Sequence, residues 1–289
     1  MAGAKESMTE SKSITIGLDV GGSTTKVIGI QGTKFLEPCR VTGSDPVSAA
    51  YGGIGKFLNV NDLKLSQVSC LKITGVGVSY LKAHIFDKET ICVPEFEAVG
   101  IGGLYSAHLT EAVVVSMGTG TSIVRANAQG VTHLIGSGIG GGTILGLAKE
   151  ILDIDNPALI SSMAEQGNVT KVDLSVGDIT VDDIPGLKPE TTAANFAKID
   201  DTCSEADLAS GIVNLCFQSV GTAAVLAARS QGLEDIVFVG SVLEMEAGRK
   251  ILQEFASLYK LRIHVPPEPK YSTAMGAALF QNKDFVCLA

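Results

Sequence analysis

The sequence predicts an α/β protein built from two related halves, and three observations carry that prediction. A strand, a polar glycine turn and a returning strand occur twice, with Asp19 and Ser116 at matching points about 97 residues apart. Strands alternate with helices through the last third, as parallel sheets require, and glycine gathers in turns instead of following a period. It supplies 33 of 289 residues, against a usual share of roughly 7%. With 45% hydrophobic and 18% charged residues, the chain can bury a substantial core, which excludes wholesale disorder.

Residues 1–12 are small and polar, so a disordered leader over 1–13 is expected. The β-branched run at 14–20 reads as a strand, Gly21-Gly22-Ser23-Thr24-Thr25-Lys26 as its turn, and Val27-Ile28-Gly29-Ile30 as the return. Strands follow at 34–41 and 70–76, with a helix over 47–58 between them. A helix over 98–109 comes after Val93-Pro94-Glu95-Phe96-Glu97. That places a first domain at 14–109 and a second at 110–289. The second opens with a strand at 111–116, the turn Met117-Gly118-Thr119-Gly120-Thr121-Ser122 and a return at 123–126. A third glycine turn, 136–143, leads into a helix over 144–152, and a more polar insertion occupies about 153–202. The remainder reads helix (206–231), strand (235–240), helix (245–259), strand (262–265) and a helix from about Ala274.

Composition bounds the partners. A net charge of −9 gives no overall field favouring nucleic acid or an anionic membrane surface, so neither is expected as a partner. The six cysteines (Cys39, Cys70, Cys92, Cys203, Cys216, Cys287) form no CxxC pair, which argues for free thiols and a cytoplasmic location. Residues 208–228 carry no charge, but Asn214, Gln218 and Thr222 recur at i, i+4 and i+8. The expectation is a buried amphipathic helix and no membrane span.

The two hairpin turns suit phosphate. Glycine permits close backbone approach and unusual conformations, so the N–H groups of Gly21 to Lys26 and of Ser116 to Ser122 can face a phosphate oxygen. Neither turn is a Walker pattern, and no GxGxxG stands between a strand and a helix. Gly136 to Thr143 offers a helix N-terminus that attracts anions. Val239-Gly240-Ser241 ends a strand where a nucleotide's sugar and base can lie. In an extended segment Glu95 and Glu97 would share one face, and either carboxylate could accept a hydroxyl proton.

Taken together, these blocks resemble the actin, hexokinase and chaperone-ATPase superfamily and, more closely, the type II pantothenate kinases. The closer likeness rests on Ile16-Gly17-Leu18-Asp19-Val20-Gly21-Gly22-Ser23-Thr24-Thr25-Lys26, Glu95-Phe96-Glu97-Ala98, Met117-Gly118-Thr119-Gly120-Thr121-Ser122, Gly138 to Gly142, Thr192-Ala193-Ala194-Asn195-Phe196 and Val239-Gly240-Ser241. The resemblance implies two ribonuclease H-like halves with a nucleotide cleft between them. It implies that ATP and Mg²⁺ are used to phosphorylate pantothenate to 4'-phosphopantothenate, the first step of coenzyme A biosynthesis. Asp19 would face Mg²⁺ through water, and Gly21, Gly22, Ser23, Thr24, Thr25 and Lys26 would hold the β- and γ-phosphates. Gly118, Thr119 and Gly120 would complete the clamp, Gly141, Gly142 and Thr143 would line the nucleotide, and Ser241 would lie near its adenosine end. Glu95 would be the general base, His133 and Ala194 would meet the acceptor, and the protein would be a homodimer.

One departure bears on the acceptor. The family places an arginine just before the third glycine turn, whereas this chain reads Val131-Thr132-His133-Leu134-Ile135. Pantetheine, which lacks a carboxylate, is therefore an open alternative to pantothenate. A same-fold kinase acting on an amino sugar, and an ATPase that switches a partner enzyme, are the other readings.

Overall fold

A computed structural model describes residues 13–81, 84–182 and 184–281. The expected leader lies outside the described residues except for Ser13, which is exposed. The chain divides into two compact units, one running to Ala98 and taken up again from Ala274, the other Val99–Thr273. This differs from the division at 109/110 read from the sequence. The reason is packing: from Val99 onward the helix buries against the second unit's strands, whereas the last helix lies on the first unit's sheet.

The first unit contains β1 (Ile14–Val20), β2 (Thr24–Gln31), β3 (Lys34–Phe35), β4 (Cys39–Thr42), α1 (Pro46–Val60), β5 (Val68–Thr74) and β6 (Glu89–Cys92). Its sheet runs β3-β2-β1-β5-β6, with β4 also on β2. Period-2 alternation turns Ile14, Ile16, Leu18 and Val20 to one face, where they bury with Ile54 and Phe57 of α1. That helix starts because the Asp45 carboxylate accepts the Ser48 N–H at 2.9 Å and Pro46 occupies its first turn. The other face of β1 receives the last helix: a Cβ on Gly17 would stand 2.2 Å from the Ala274 carbonyl oxygen, and Lys72 donates to the Ala278 carbonyl at 3.0 Å.

The second unit follows with α2 (Glu95–Ala107), which begins in the first, then β7 (Ala112–Met117), β8 (Thr121–Asn127), β9 (Gly130–Ser137), α3 (Gly141–Leu152) and α4 (Pro157–Gln166). Next come β10 (Leu174–Ser175), α5 (Val176–Ile179), β11 (Thr192–Ala194), α6 (Glu205–Gln231), β12 (Asp235–Val239), α7 (Glu246–Tyr259), β13 (Arg262–His264) and α8 (Ser272–Leu279). The polar insertion is thus structured by α4, α5 and the small β10-β11 pair. The main sheet runs β13-β12-β7-β8-β9. Reversed, that is the order of the first unit's sheet: a hairpin at the centre, an antiparallel strand outside it, and two parallel strands on the other side. The duplication read from the two hairpins therefore extends to both whole sheets.

α6 begins in a capping box, with the Asp207 N–H donating to Ser204 Oγ at 3.2 Å and the Ser204 N–H to Asp207 Oδ2 at 3.0 Å. It ends at Gly232 with φ +66°. Its length and composition would suffice to cross a membrane, but 67% of its most apolar window is buried inside the protein. The polar stripe runs from buried Asn214 to exposed Thr222. Gly103 sits where a Cβ would strike Val114 at 2.4 Å, and Gly53 where one would meet Val27 at 2.9 Å. Part of the glycine excess is therefore close helix-on-sheet packing. Cys39, Cys70, Cys203 and Cys216 are free, whereas Cys92 is disulfide-bonded, so the expectation of free thiols throughout does not hold.

Candidate functional site

Three strand ends of the first unit converge on Asp19. β1, β5 and β6 are mutually parallel, and their carboxyl ends are the edge of an α/β sheet where ligands bind. Asp19 lies near the end of β1, opposite Lys26 of β2, and Lys26 Nζ donates to Asp19 Oδ2 at 3.2 Å. Both side chains are mostly buried, at 15% and 12% exposure. Lys26 is thus the carboxylate's counter-ion, a pairing that sequence reasoning does not place.

The turn itself is tight. The Gly21 N–H donates to the Thr24 carbonyl at 3.1 Å, and a Cβ on Gly21 would lie 2.9 Å from that oxygen. Gly22 and Ser23 are exposed at the tip. Among the described residues no hydrogen bond takes either N–H, which leaves both available to an anion. Thr25 departs from expectation. Its side chain is fully buried on the α1 face of the sheet, its Cγ2 3.6 Å from where a Cβ on Gly53 would be, because strand alternation turns it away from Lys26.

Glu95 opens α2 directly after β6, where the Val93 N–H donates to the Ile73 carbonyl at 2.7 Å. The segment is helical at Glu95, not extended, so Glu95 and Glu97 do not share a face as the sequence reading supposes. Glu95 keeps open surface, yet its pKa is raised, first by desolvation and then by the charge of Asp19, with Lys26 opposing. Glu97 is raised by desolvation alone. Glu95 therefore belongs electrostatically with Asp19 and Lys26, and Glu97 does not. Sequence reasoning missed Gly75, which follows β5 with φ +95°. A Cβ there would lie 2.6 Å from the Val20 carbonyl oxygen and 2.9 Å from Asp19 Oδ1. A faint signal exists: Thr74-Gly75-Val76 ends a strand as Val239-Gly240-Ser241 does.

The second unit gathers Thr119, the start of α3 and the residues after β12. The Gly118 N–H donates to the Gly120 carbonyl at 2.9 Å. The Gly141 N–H donates to the Gly118 carbonyl at 2.8 Å, and the Gly142 N–H to the Thr119 carbonyl at 2.9 Å. Two of the first-turn donors of α3 thus serve the β7-β8 turn instead of standing open. Thr143 Oγ1 donates to the Gly138 carbonyl at 2.9 Å, closing the third glycine turn. Thr119 and Gly120 keep tip N–H groups that no hydrogen bond takes among the described residues. Gly240, with φ +106°, lets β12 lie against β7, since a Cβ would fall 2.3 Å from the Met117 carbonyl oxygen. Ser241 begins the 3-10 turn Ser241–Glu244 just beyond.

His133 is exposed on the edge strand β9 opposite Val124. Ala194 ends β11, half-buried and paired with Leu174. The segment around Ala194 is tied to α6 by Asp173, which is 2% exposed. Its carboxylate accepts from Asn195 Nδ2 at 2.9 Å, the Phe196 N–H at 2.8 Å and Asn214 Nδ2 at 2.7 Å. Among the described residues no three His, Cys, Asp or Glu side chains are grouped to hold a metal ion.

The chain is 26% identical over 274 residues to a type II pantothenate kinase of Staphylococcus haemolyticus, covering 91% of this chain and 98% of that one. It is 27% identical to a type II pantothenate kinase of Staphylococcus aureus strain USA300, covering 92% and 99%. Among solved structures, the activator of 2-hydroxyisocaproyl-CoA dehydratase from Clostridium difficile, with bound ADPNP, matches with TM-score 0.69, 16% identity and coverage of 92% and 93%. A ROK hexokinase from Thermus thermophilus matches with TM-score 0.54, 13% identity and coverage of 92% and 97%. These two likenesses establish the fold, a two-part α/β architecture. The Fumble family model matches residues 39–259, more than half of the sequence, and the chain belongs to that family.

Proposed function

We propose that the protein is an ATP-dependent pantothenate kinase, transferring the γ-phosphoryl group of ATP to the primary hydroxyl of pantothenate. The observation that carries the reading is Glu95, a carboxylate with a raised pKa coupled to the Asp19–Lys26 pair at the phosphate-type hairpin. Its family and its full-length kinase relatives support the same reaction.

Glu95 accepts the proton of the acceptor hydroxyl as its oxygen bonds to the γ-phosphorus and the bond to the ADP oxygen breaks. A base whose pKa is lifted above the ordinary carboxylate value performs that transfer better than an unperturbed one. The open tip amides of Gly22 and Ser23 in the first unit, and of Thr119 and Gly120 in the second, offer donors to phosphate oxygens without net positive charge, which suits a chain of net charge −9. Lys26 adds a cation beside the first turn, and the Thr24 carbonyl fixes Gly21 within it.

Mg²⁺ fits the donor set. It favours one or two carboxylates with phosphate oxygens and water over a cage of protein ligands, and Asp19 is a single, partly exposed carboxylate of that kind. When bound it neutralises phosphate charge. Ala194 and His133 are proposed acceptor contacts. A homodimer is proposed from the family resemblance.

Pantetheine is the second reading, favoured by the stretch 131–135 having a histidine and no arginine. ATP consumption by the purified protein with pantothenate, pantetheine, N-acetylglucosamine or no acceptor tests both. Stimulation by pantothenate supports the proposal, stimulation by pantetheine alone moves the substrate, and equal turnover without acceptor favours an ATPase switch.

A further inference from the structure

The first unit's sheet buries two hydroxyls, Thr25 Oγ1 and Thr74 Oγ1, that have no hydrogen-bond partner among the described residues. Both residues have no exposed surface. An unpaired buried hydroxyl is a standing cost that valine, of nearly the same shape, would not carry. The two lie on opposite faces. Thr25 stands against Gly53 of α1. Thr74 pairs with Asp19 in the parallel β1-β5 register, so its side chain rises from the same face as the carboxylate. The next residue is Gly75, where even a methyl group would press on Asp19 Oδ1. The surroundings of that carboxylate are thus kept free of side-chain bulk on the side where an unsatisfied donor is buried.

We propose that Thr74 is a positioning residue of the nucleotide site, its hydroxyl donating a hydrogen bond to water held at Asp19 when ATP binds with Mg²⁺. The inference rests on the reading of the Asp19 hairpin as the phosphate site. Groups of this kind, one step removed from a metal, change affinity by roughly 10- to 100-fold when deleted.

The test is calorimetric titration of the full chain with ATP at a series of Mg²⁺ concentrations, together with thermal unfolding without ligand, for Thr74→Val, Thr74→Ser, Thr25→Val and Asp19→Asn. Thr74→Val is expected to unfold no earlier than the parent, yet to bind ATP about tenfold more weakly at saturating Mg²⁺ and to need more Mg²⁺ for half-maximal binding. Thr74→Ser should restore both, and Thr25→Val should leave both unchanged. Parent-like ATP binding and Mg²⁺ dependence in Thr74→Val, with Asp19→Asn impaired, would overturn the inference and leave the phosphate site standing. Parent-like binding in Asp19→Asn would remove the underlying reading itself. If Thr74→Val does not fold, Thr74→Ala is measured instead, and an unchanged Mg²⁺ dependence there also overturns the proposal.

Discussion

Gly75 and Gly240 occupy the same place in two copies of one sheet. Each ends the parallel strand beside the first strand of a central hairpin, and each has a positive φ, +95° and +106°. Each leads into a 3-10 turn, Val76–Tyr80 and Ser241–Glu244. A Cβ on either would strike a backbone carbonyl oxygen of that first strand, Val20 at 2.6 Å or Met117 at 2.3 Å.

Gly75→Ala and Gly240→Ala are therefore expected to destabilise by at least about 2 kcal/mol each, since a strained φ and a backbone collision act together. Gly22→Ala, where a Cβ meets nothing within 4 Å, should stay within about 0.5 kcal/mol. Denaturant unfolding of the three variants checks the contrast, and equal losses would refute the steric argument.

This equivalence also shows what the sequence discloses and what it hides. The hairpins, α6 and the order of the last third are legible because strand alternation, glycine turns and capping residues are local signals. Gly240 is legible from Val239-Gly240-Ser241, but its counterpart Gly75 is harder to see because Thr74 and Val76 give no polar turn. The Gly141 and Gly142 amides look like anion donors, and only the fold brings the Gly118 and Thr119 carbonyls to them. Glu95 stands out in the sequence beside Glu97 as half of an extended pair, whereas its coupling to Asp19 and Lys26 comes from the start of a helix at the end of β6. The tie from Asp173 to Asn214, 41 positions apart, has no local trace.

Asp173→Asn is expected to cost roughly 1–3 kcal/mol, because it turns an acceptor oxygen into a donor facing Asn195 and Asn214. In the proposed enzyme the loosened segment at Thr192–Ala194 should raise the acceptor KM more than it lowers kcat. Steady-state kinetics with varied pantothenate measures that split, and an unchanged KM would detach β11 from the acceptor.

Acid should destabilise the second unit through two carboxylates. Asp207 is lowered by the N–H groups of Ser204 and Asn168, and Asp235 is lowered to about 2, chiefly by Arg262. A depressed folded-state pKa contributes stability above the unfolded value near 4, and that contribution is lost as pH falls through the folded value. The unfolding temperature should then decline from about pH 4 downward. Asp235→Asn should flatten the decline, measured by calorimetry across that range.

Restoring the arginine tests acceptor choice. His133→Arg is expected to lower the KM for pantothenate, whose carboxylate suits a guanidinium, and to leave that for pantetheine unchanged. His133 is exposed, so the substitution carries little structural cost. A parallel change for both acceptors would mean that position 133 does not read the carboxylate.

As the proposed base, Glu95 would link stability, pH and turnover in one residue. Glu95→Gln should reduce kcat by about 10²- to 10⁴-fold while leaving ATP affinity intact, the signature of a lost base. Its raised pKa means that the fold favours the neutral carboxyl, so charging it lowers stability as pH rises from the unfolded toward the folded value. Above that window Glu95→Gln, which cannot charge, should unfold at a higher temperature than the parent. Lys26 opposes the rise, so Lys26→Met should move the acidic limb of the kcat/KM profile to higher pH. Movement to lower pH would show that the limb belongs to another group, because the loss of a cation can only raise the pKa of a carboxylate it was stabilising.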